Sequence, residues 1–600
     1  MPPTPSDLPF TFDALRGAYA AGLSAEAVVD EVFARLDAID DPAIFIHLRD
    51  RAEVRAEAAA LGPYDPARPL WGLPFAAKDN IDAAGIETTA GCPAYAFTPD
   101  ADAFVAARLR AAGALLIGKT NLDQFATGLV GVRSPYGAPR NAVDPAIVPG
   151  GSSGGSGVVV GHGAVAFSLG TDTAGSGRVP AALNNIVGLK PSLGALSATG
   201  VVPACRTLDT VSVFALTVED AYAVFDAACD YDPADAYARP FAPAPLSAPA
   251  PGLRIGVPDA ASLEVFGDDV QAAAFVRDLD RLSAGGAAIV PVDFEPLFAV
   301  ARLLYQGAWV AERYTVIEAL LAEDPDAVHP VTRQIISAAE GMSAADAFRG
   351  LYRLADLKRA AAPMLASVDM LCVPTIPTFY TVADLEADPV GPNSNLGTYT
   401  NFVNLLDMCG IAVPTAPRTD GRPGSVTLLA PAGQDAAVAS LARTLEADCD
   451  RVMGATPHPV PPPPPLPAAP SDEIELAVCG AHMKGLPLNR HLTDLGARFV
   501  RAARTAPRYR FYALPGGPPE RPGLVRAESG GAVALEVWAL PKTALGAFMQ
   551  GIPAPLGIGS VELSDGAWVK GFICEAEGAR DATDITHLGD WRAFLAKEPV

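Results

Sequence analysis

The 600-residue sequence predicts an α/β fold with a mixed β-sheet core flanked by helices, followed by a second domain that is α+β or mostly β. Two textures and one break between them carry that prediction. Before residue 457, short β-rich runs such as LEVF (263–266) and GAAIVPVDF (286–294) alternate with Ala-rich stretches of helical period, AEAVVDEVFARLDAI (25–39) and FVAARLRAAG (104–113). Such alternation builds layers, because each helix and each sheet has an apolar face to cover. After 471, AVALEVWALP (532–541), SVELSDG (560–566) and AWVKGFICEA (567–576) read as strands joined by turns. Between the two lies PHPVPPPPPLPAAP (457–470). Proline has no backbone donor and a fixed φ, so this run reads as a semi-rigid polyproline spacer. The division is therefore 1–456, a proline-rich linker at 457–471, and a domain at 472–600. A second proline-rich stretch, ARPFAPAPLSAPAPG (238–252), is flanked by strand and helix patterns and reads as a surface loop inside the first domain.

Composition narrows the function classes. Lys and Arg number 44 against 68 Asp and Glu, a net charge of −24, which argues against nucleic acid or anionic membranes as partners. Half the residues are hydrophobic and 19% are charged, which excludes a largely disordered chain. The start, MPPTPSDLPF, lacks the basic and apolar regions of a secretory signal, and no apolar run is long enough for a membrane span. The eight cysteines stand singly without a C-x-x-C pair, and the seven histidines include no H-E-x-x-H. The expectation is a cytoplasmic protein with reduced thiols, no metal and no cofactor.

Two motif matches are rejected on physical grounds. GALLIGKT (113–120) fits the phosphate-loop pattern, but its interior is strand material where a phosphate cradle needs small, flexible residues. GSSGG (151–155) fits the nucleophile elbow, which requires a strand before it and a helix after it, yet in a segment this rich in Gly and Ser the match is cheap.

The informative stretch is VPGGSSGGSGVVVGHGAVAFSLGTDTAGSGRVPAALNNIVGLKPS (148–192). Its glycines permit close backbone approach to a reacting oxyanion, and the interleaved apolar runs mark it as buried rather than as a linker. Upstream, WGLPFAAKDNID (71–82) sets Lys78 among apolar residues. A lysine in such a setting either snorkels to the surface or, when desolvated, loses its proton and acts as a base.

Lys78, GGSSGGS (150–156) and GTDTAGS (170–176) followed by Gly177 and Arg178 resemble the amidase signature family, which uses a Ser–cis-Ser–Lys triad. The resemblance covers most of residues 10–450, and the 24-residue separation of Ser152 from Ser176 agrees with it. It implies Ser176 as nucleophile, Ser152 as the bridging serine after a cis peptide bond, and Lys78 as the neutral base. It further implies an oxyanion hole from the backbone amides of Thr173, Ala174, Gly175 and Ser176; Asp172 and Arg178 are read as holding the loop's shape, with direct contact to the substrate as the alternative.

Within that family, QFATGLVGVRSPYG (124–137) and the C-terminal segments AVCGAHMKGLPLN (477–489) and GFICEAEGARDATDITHLGDWRAFL (571–595) resemble the allophanate hydrolases. The resemblance implies hydrolysis of the amide C–N bond of allophanate with release of ammonia, in urea degradation and nitrogen metabolism. It also implies a homodimer and a functional link to a urea carboxylase, a biotin enzyme acting upstream. Allophanate carries a carboxylate, which an arginine fork suits best. In ARLLYQGAWVAERY (301–314), Tyr305 and Arg313 stand eight residues apart, two turns along one side of a single helix, where the family places its substrate-binding Tyr and Arg. The other reading of this stretch is an amphipathic helix with an exposed Arg. Gly128 is expected to let the substrate approach the backbone. The C-terminal domain resembles a γ-glutamylcyclotransferase-like fold, to which the related enzymes assign decarboxylation of N-carboxycarbamate, with His482 as candidate. The cyclotransferase's acidic motif is missing after WALP (538–541), which also leaves a structural or dimerising role open. Alternatives to the whole reading are an amidase for another small amide, an amidotransferase subunit, or a non-catalytic scaffold.

Overall fold

The computed structural model describes residues 4–466 and 470–596. The chain forms two compact units. One holds the residues up to Ala244 with Arg254–Gly285 and Ile289–Pro463; the other holds Pro245–Leu253, Gly286–Ala288 and the chain from Pro464 onward.

The first unit is built on a mixed sheet. Its strands are β1 (Phe45–Leu48), β2 (Pro74–Lys78), β3 (Leu115–Thr120), β4 (Phe167–Asp172), β5 (Val187–Lys190), β6 (Thr210–Ala215), β7 (Arg254–Pro258), β8 (Ala288–Val292), β9 (Met370–Pro374), β10 (Met408–Thr415) and β11 (Gly424–Pro431). They run in the order β1-β3-β2-β4-β6-β5-β10-β11-β9-β7-β8. β2 is parallel to both β3 and β4, while β4 and β5 each pair antiparallel with β6. The central strands are buried along their whole length, which is why they read as continuous apolar runs rather than alternating ones. Helices pack against the sheet, among them Ala25–Ile39, capped by the Ser24 side chain on the Ala27 amide. The expected α/β architecture with a mixed sheet is what the chain adopts.

GALLIGKT ends in β3, so the phosphate-loop match is a buried strand that runs on through Gly118 to Thr120, and Lys119 Nζ pairs with Asp79 at 3.2 Å. The LEVF segment differs from its expected strand. It passes through a turn in which Phe266 (φ 50°) and Gly267 (φ 78°) both take left-handed backbone, a geometry incompatible with a ladder. The loop expected inside the first domain at 238–252 does not stay there. Residues 245–253 belong to the second unit, where the Ala248 amide donates to the Val500 carbonyl at 3.1 Å and Ala248 and Ala250 pack on its core. A segment of Pro and Ala has few donors to satisfy and small apolar side chains to cover, so a strand edge suits it.

The second unit is β-rich. Strands β12 (Glu473–Val478), β13 (Arg498–Arg504), β16 (Ala534–Pro541), β17 (Leu556–Glu562) and β18 (Trp568–Cys574) form a five-stranded sheet in the order β13-β16-β12-β18-β17. Strands β14 (Tyr509–Leu514), β15 (Arg521–Arg526) and β19 (Thr583–Asp584) form a smaller sheet. Its α-helices among the described residues span four to six residues each, so helix contributes little to the expected α+β character. Residues 461–466 of the proline run take neither helix nor strand, and 467–469 lie outside the described residues. No described helix is long and apolar enough to cross a membrane.

Candidate active site

Three elements converge in the first unit. Lys78 is the last residue of β2. Ser152 lies in the glycine-rich turn before the helix Gly154–Gly161, following a cis Gly151–Ser152 peptide bond. Ser176 lies in the turn between β4 and the short helix Val179–Leu183. Because β2 and β4 are neighbours in the sheet, their C-terminal ends open onto the same place, the usual position for a site in such folds. Lys78 Nζ is 2.7 Å from Ser152 Oγ and 2.8 Å from Thr171 Oγ1, and Ser152 Oγ is 3.0 Å from Ser176 Oγ. The three residues thus form one continuous hydrogen-bonded chain. Lys78 and Ser152 are fully buried and Ser176 is 2% exposed.

Burial pushes the Lys78 ammonium down to about 7, against the pull of the Asp123, Asp209 and Asp172 carboxylates. A lysine there carries no proton for much of the time near neutral pH, and its stem has no route to the surface. The snorkelling alternative is removed.

Asp172 and Arg178 shape the turn that carries Ser176. The guanidinium grips the carboxylate with Nε and Nη2, both at 2.9 Å, and the same carboxylate accepts the amides of Gly175 and Gly177 at 3.0 Å. Burial alone would raise the Asp172 carboxyl; the charge and hydrogen bonds of Arg178 hold it below the usual range. Gly175 has φ 130°, and a Cβ there would lie 2.5 Å from Thr400 Oγ1, so glycine is required. The Gly175 amide, expected in the oxyanion hole, is therefore already taken by Asp172. Those of Thr173, Ala174 and Ser176 have no acceptor among the described residues. Asp172→Ala leaves a buried guanidinium unpaired, so the unfolding free energy is expected to drop by about 3–5 kcal/mol in a denaturant titration.

The loop 121–133 borders the serines. Asp123 anchors it by accepting the amides of Gly131 and Arg133 at 3.0 and 2.9 Å, and its own amide donates to the Ser152 carbonyl at 3.0 Å. Gly128 acquires a different reason from the expected one. A Cβ at 128 would lie 2.4 Å from the Asp123 carboxylate, which by itself favours glycine there. The Gly128 carbonyl lies 3.4 Å from Ser176 Oγ. Phe125 and Ala126 both hold left-handed backbone (φ 52° and 50°), strain of the kind that clusters at functional sites.

Tyr305 and Arg313 come together, though not on one helix. Tyr305 lies near the end of the helix Glu295–Gln306 and Arg313 on the next, Trp309–Glu323; Gly307 breaks the run with φ −127° and ψ −162°. The guanidinium carbon sits 5.2 Å from the centre of the Tyr305 ring. Arg313 is 1% exposed, not a surface residue. Its Nη1 donates to Thr127 Oγ1 at 3.2 Å, while Nε and Nη2 are buried without a partner. An unpartnered edge of a buried guanidinium is costly unless an anion fills it.

In the second unit, His482 lines a cavity of about 340 Å³ together with Cys479, Gly480, Arg521, Pro553 and Phe572. Its ring stacks on Phe572 at 5.0 Å and meets Phe548 edge-on at 5.3 Å. Burial pushes the imidazole down to about 4, so it is neutral at physiological pH. Among the described residues no cluster of three or more His, Cys, Asp or Glu is arranged to hold a metal ion, and all eight cysteines are buried free thiols.

Four polar residues at this site do not stand out in the sequence: Asp123, Thr127, Thr171 and Asp209. Thr171 lies inside GTDTAGS, where its motif was a usable signal. Thr127 lies inside QFATGLVGVRSPYG, which offered a similar signal, whereas Asp123 and Asp209 lie in loops with no local pattern.

Comparison with known proteins identifies the family. The Amidase family profile matches residues 27–439, and that of the Allophanate hydrolase C-terminal domain matches 474–596. The chain is 45% identical over 544 residues to the urea amidolyase of Saccharomyces cerevisiae, of which the match covers 30%. The chain thus spans about a third of the length of that relative. It is 32% identical to the 2-amino-5-chloromuconic acid deaminase of Comamonas testosteroni, over 66% of this chain and 87% of that one. Among solved structures, the allophanate hydrolase of Kluyveromyces lactis superposes with a TM-score of 0.79 at 40% identity, covering 98% of both chains. On these profile matches, the chain belongs to the amidase family and carries the allophanate hydrolase C-terminal domain.

Proposed function

We propose that this chain hydrolyses allophanate to ammonia and N-carboxycarbamate, with Ser176 as nucleophile. The observation that carries the reading is the Lys78–Ser152–Ser176 hydrogen-bond chain, joined by the buried, half-unpaired Arg313. The K. lactis enzyme named above, alike over 98% of both chains, supports the same substrate. A serine hydroxyl attacks an amide only when a positioned base takes its proton. For that step both hydroxyls rotate to point toward Lys78, which they do freely. The Ser176 oxygen bonds to the terminal amide carbon, its proton passes to Ser152, and the Ser152 proton passes to Lys78. The charge that develops on the carbonyl oxygen is met by free backbone amides of the 173–176 turn. Lys78 returns the proton through Ser152 to the amide nitrogen, the C–N bond breaks and ammonia leaves. Water then attacks the acyl group on Ser176 by the same relay, freeing N-carboxycarbamate and the serine. The allophanate carboxylate takes the unpaired Nε and Nη2 of Arg313. Ammonia release from allophanate by wild type and Ser176→Ala tests this, and equal rates would overturn it.

The second domain then acts on N-carboxycarbamate in the cavity lined by His482. With His482→Ala, ¹³C-labelled allophanate is expected to yield ammonia at the wild-type initial rate while N-carboxycarbamate accumulates in the NMR spectrum. Unchanged product partition would reject a role for His482. In the cell the substrate would come from a urea carboxylase, as the resemblance implies, with the enzyme a cytoplasmic homodimer.

A further inference from the structure

The serine–lysine chain accounts for the proton but not for what aims the amides at the forming oxyanion. Asp172 grips the 173–176 turn from one side only, through Gly175 and Gly177. On the other side stands Asp209, just before β6. Its carboxylate accepts the Ala204 amide at 2.7 Å and the Cys205 amide at 3.1 Å, and it takes the Thr173 hydroxyl in a short hydrogen bond.

The 204–209 loop that holds Asp209 is itself braced. Thr207 donates through its amide and hydroxyl to Glu312 at 2.7 and 2.8 Å, one residue before Arg313. Asn404 Nδ2 donates to the carbonyls of both Asp172 and Leu208, each at 2.8 Å. Ala174, Cys205, Leu208 and Trp309 share one hydrophobic cluster beneath these bonds. Two loops far apart in sequence are thereby locked together, and Thr173 and Asp209 join them side chain to side chain.

We propose that Asp209 is a positioning residue of the acyl-transfer site: by clamping the Thr173 side chain against the 204–209 loop, it aims the free amides of the 173–176 turn at the oxygen that becomes negative. The inference rests on the reading of Ser176 as nucleophile. A carboxylate is needed because two oxygens serve three donors from two loops. An asparagine turns an N–H toward the Ala204 amide or toward the Thr173 hydroxyl.

The test compares Thr173→Val, Thr173→Ser, Asp209→Asn, the Thr173→Val/Asp209→Asn double variant and Ser176→Ala. Two readouts are used, ammonia release from allophanate and the rate at which a fluorophosphonate labels Ser176. Thr173→Val and Asp209→Asn are expected to lower kcat by about 10- to 100-fold with KM within about threefold, and to slow labelling by a similar factor. Thr173→Ser keeps the hydroxyl and should stay within about threefold of wild type. The double variant should be no slower than the worse single, since both break one contact. Thr173→Val conserves shape, so it reports the contact even where Asp209→Asn fails to fold. Wild-type labelling in Thr173→Val, an effect on KM alone, or losses that multiply in the double variant would overturn the inference. Ser176→Ala that is inactive beside an unaffected Thr173→Val overturns this inference alone. Ser176→Ala with full ammonia release overturns the nucleophile reading and this inference with it.

Discussion

Replacing Lys78 by methionine, or Ser176 by alanine, is expected to lower kcat for ammonia release by about 10⁴-fold or more, with little change in KM. Methionine fills much of the lysine's volume but has no nitrogen to accept the relayed proton. The two substitutions should cost about the same, and together no more than either alone, because they disable one unit. The relay also fixes the sign of the pH dependence. Lys78 works as a base only when neutral, and burial pushes it down to about 7. Below that pH it holds a proton, the outlet for the Ser176 hydrogen is closed, and the rate falls. Above it the rate reaches a plateau. An acid limb in kcat/KM that is centred near 7 and vanishes in Lys78→Met is the expected profile. A Lys78→Met enzyme with a tenth or more of wild-type turnover would remove Lys78 from the mechanism.

The second large effect is one of selectivity. Arg313→Ala is expected to lower kcat/KM on allophanate by about 10²- to 10³-fold, as loss of one partner of a buried charged pair does. On a small neutral amide the loss should be within about tenfold, because only the packing against the Tyr305 ring and the hydrogen bond to Thr127 Oγ1 disappear. Arg313→Lys should recover little. An ammonium cannot lie flat on the ring, donate to Thr127 Oγ1 and offer two further parallel N–H bonds at once. Equal losses on the anionic and neutral substrates would show that Arg313 supports the loop rather than the carboxylate.

The motifs around the two serines were readable because their chemistry is local. GGSSGGS and GTDTAGS are contiguous in the chain and so can be read as motifs, although several of their glycines answer to distant neighbours, Gly151 to Asp123 and Gly175 to Thr400. From its apolar setting alone Lys78 has two fates, and it is the family resemblance that reads it as a base; the structure adds that Lys78 ends the buried strand β2. The Tyr305–Arg313 pair shows the opposite error. Spacing placed both on one helix face; Gly307 breaks that helix, and the pair meets because the second helix folds back beside the first. At Gly128 the structure adds a steric reason for glycine, the Asp123 carboxylate five residues earlier in the chain, which the sequence does not show.

By itself, then, the sequence determined the layered α/β class and the family, and it singled out the proline-rich break and the lysine and two serines of the candidate site. Each of these follows from periodicity, backbone chemistry or contiguous motifs. Only the tertiary structure decided that 245–253 belongs to the second unit, that the Gly175 amide is committed to Asp172, and that Asp123, Thr127 and Asp209 frame the site. Several of these contacts join residues far apart in the chain, 186 residues for Thr127 and Arg313 and 36 for Thr173 and Asp209. No local propensity encodes them. They exist because the order β3-β2-β4-β6 brings the strand ends together, and buried polar groups there must find partners or be left for a substrate to satisfy.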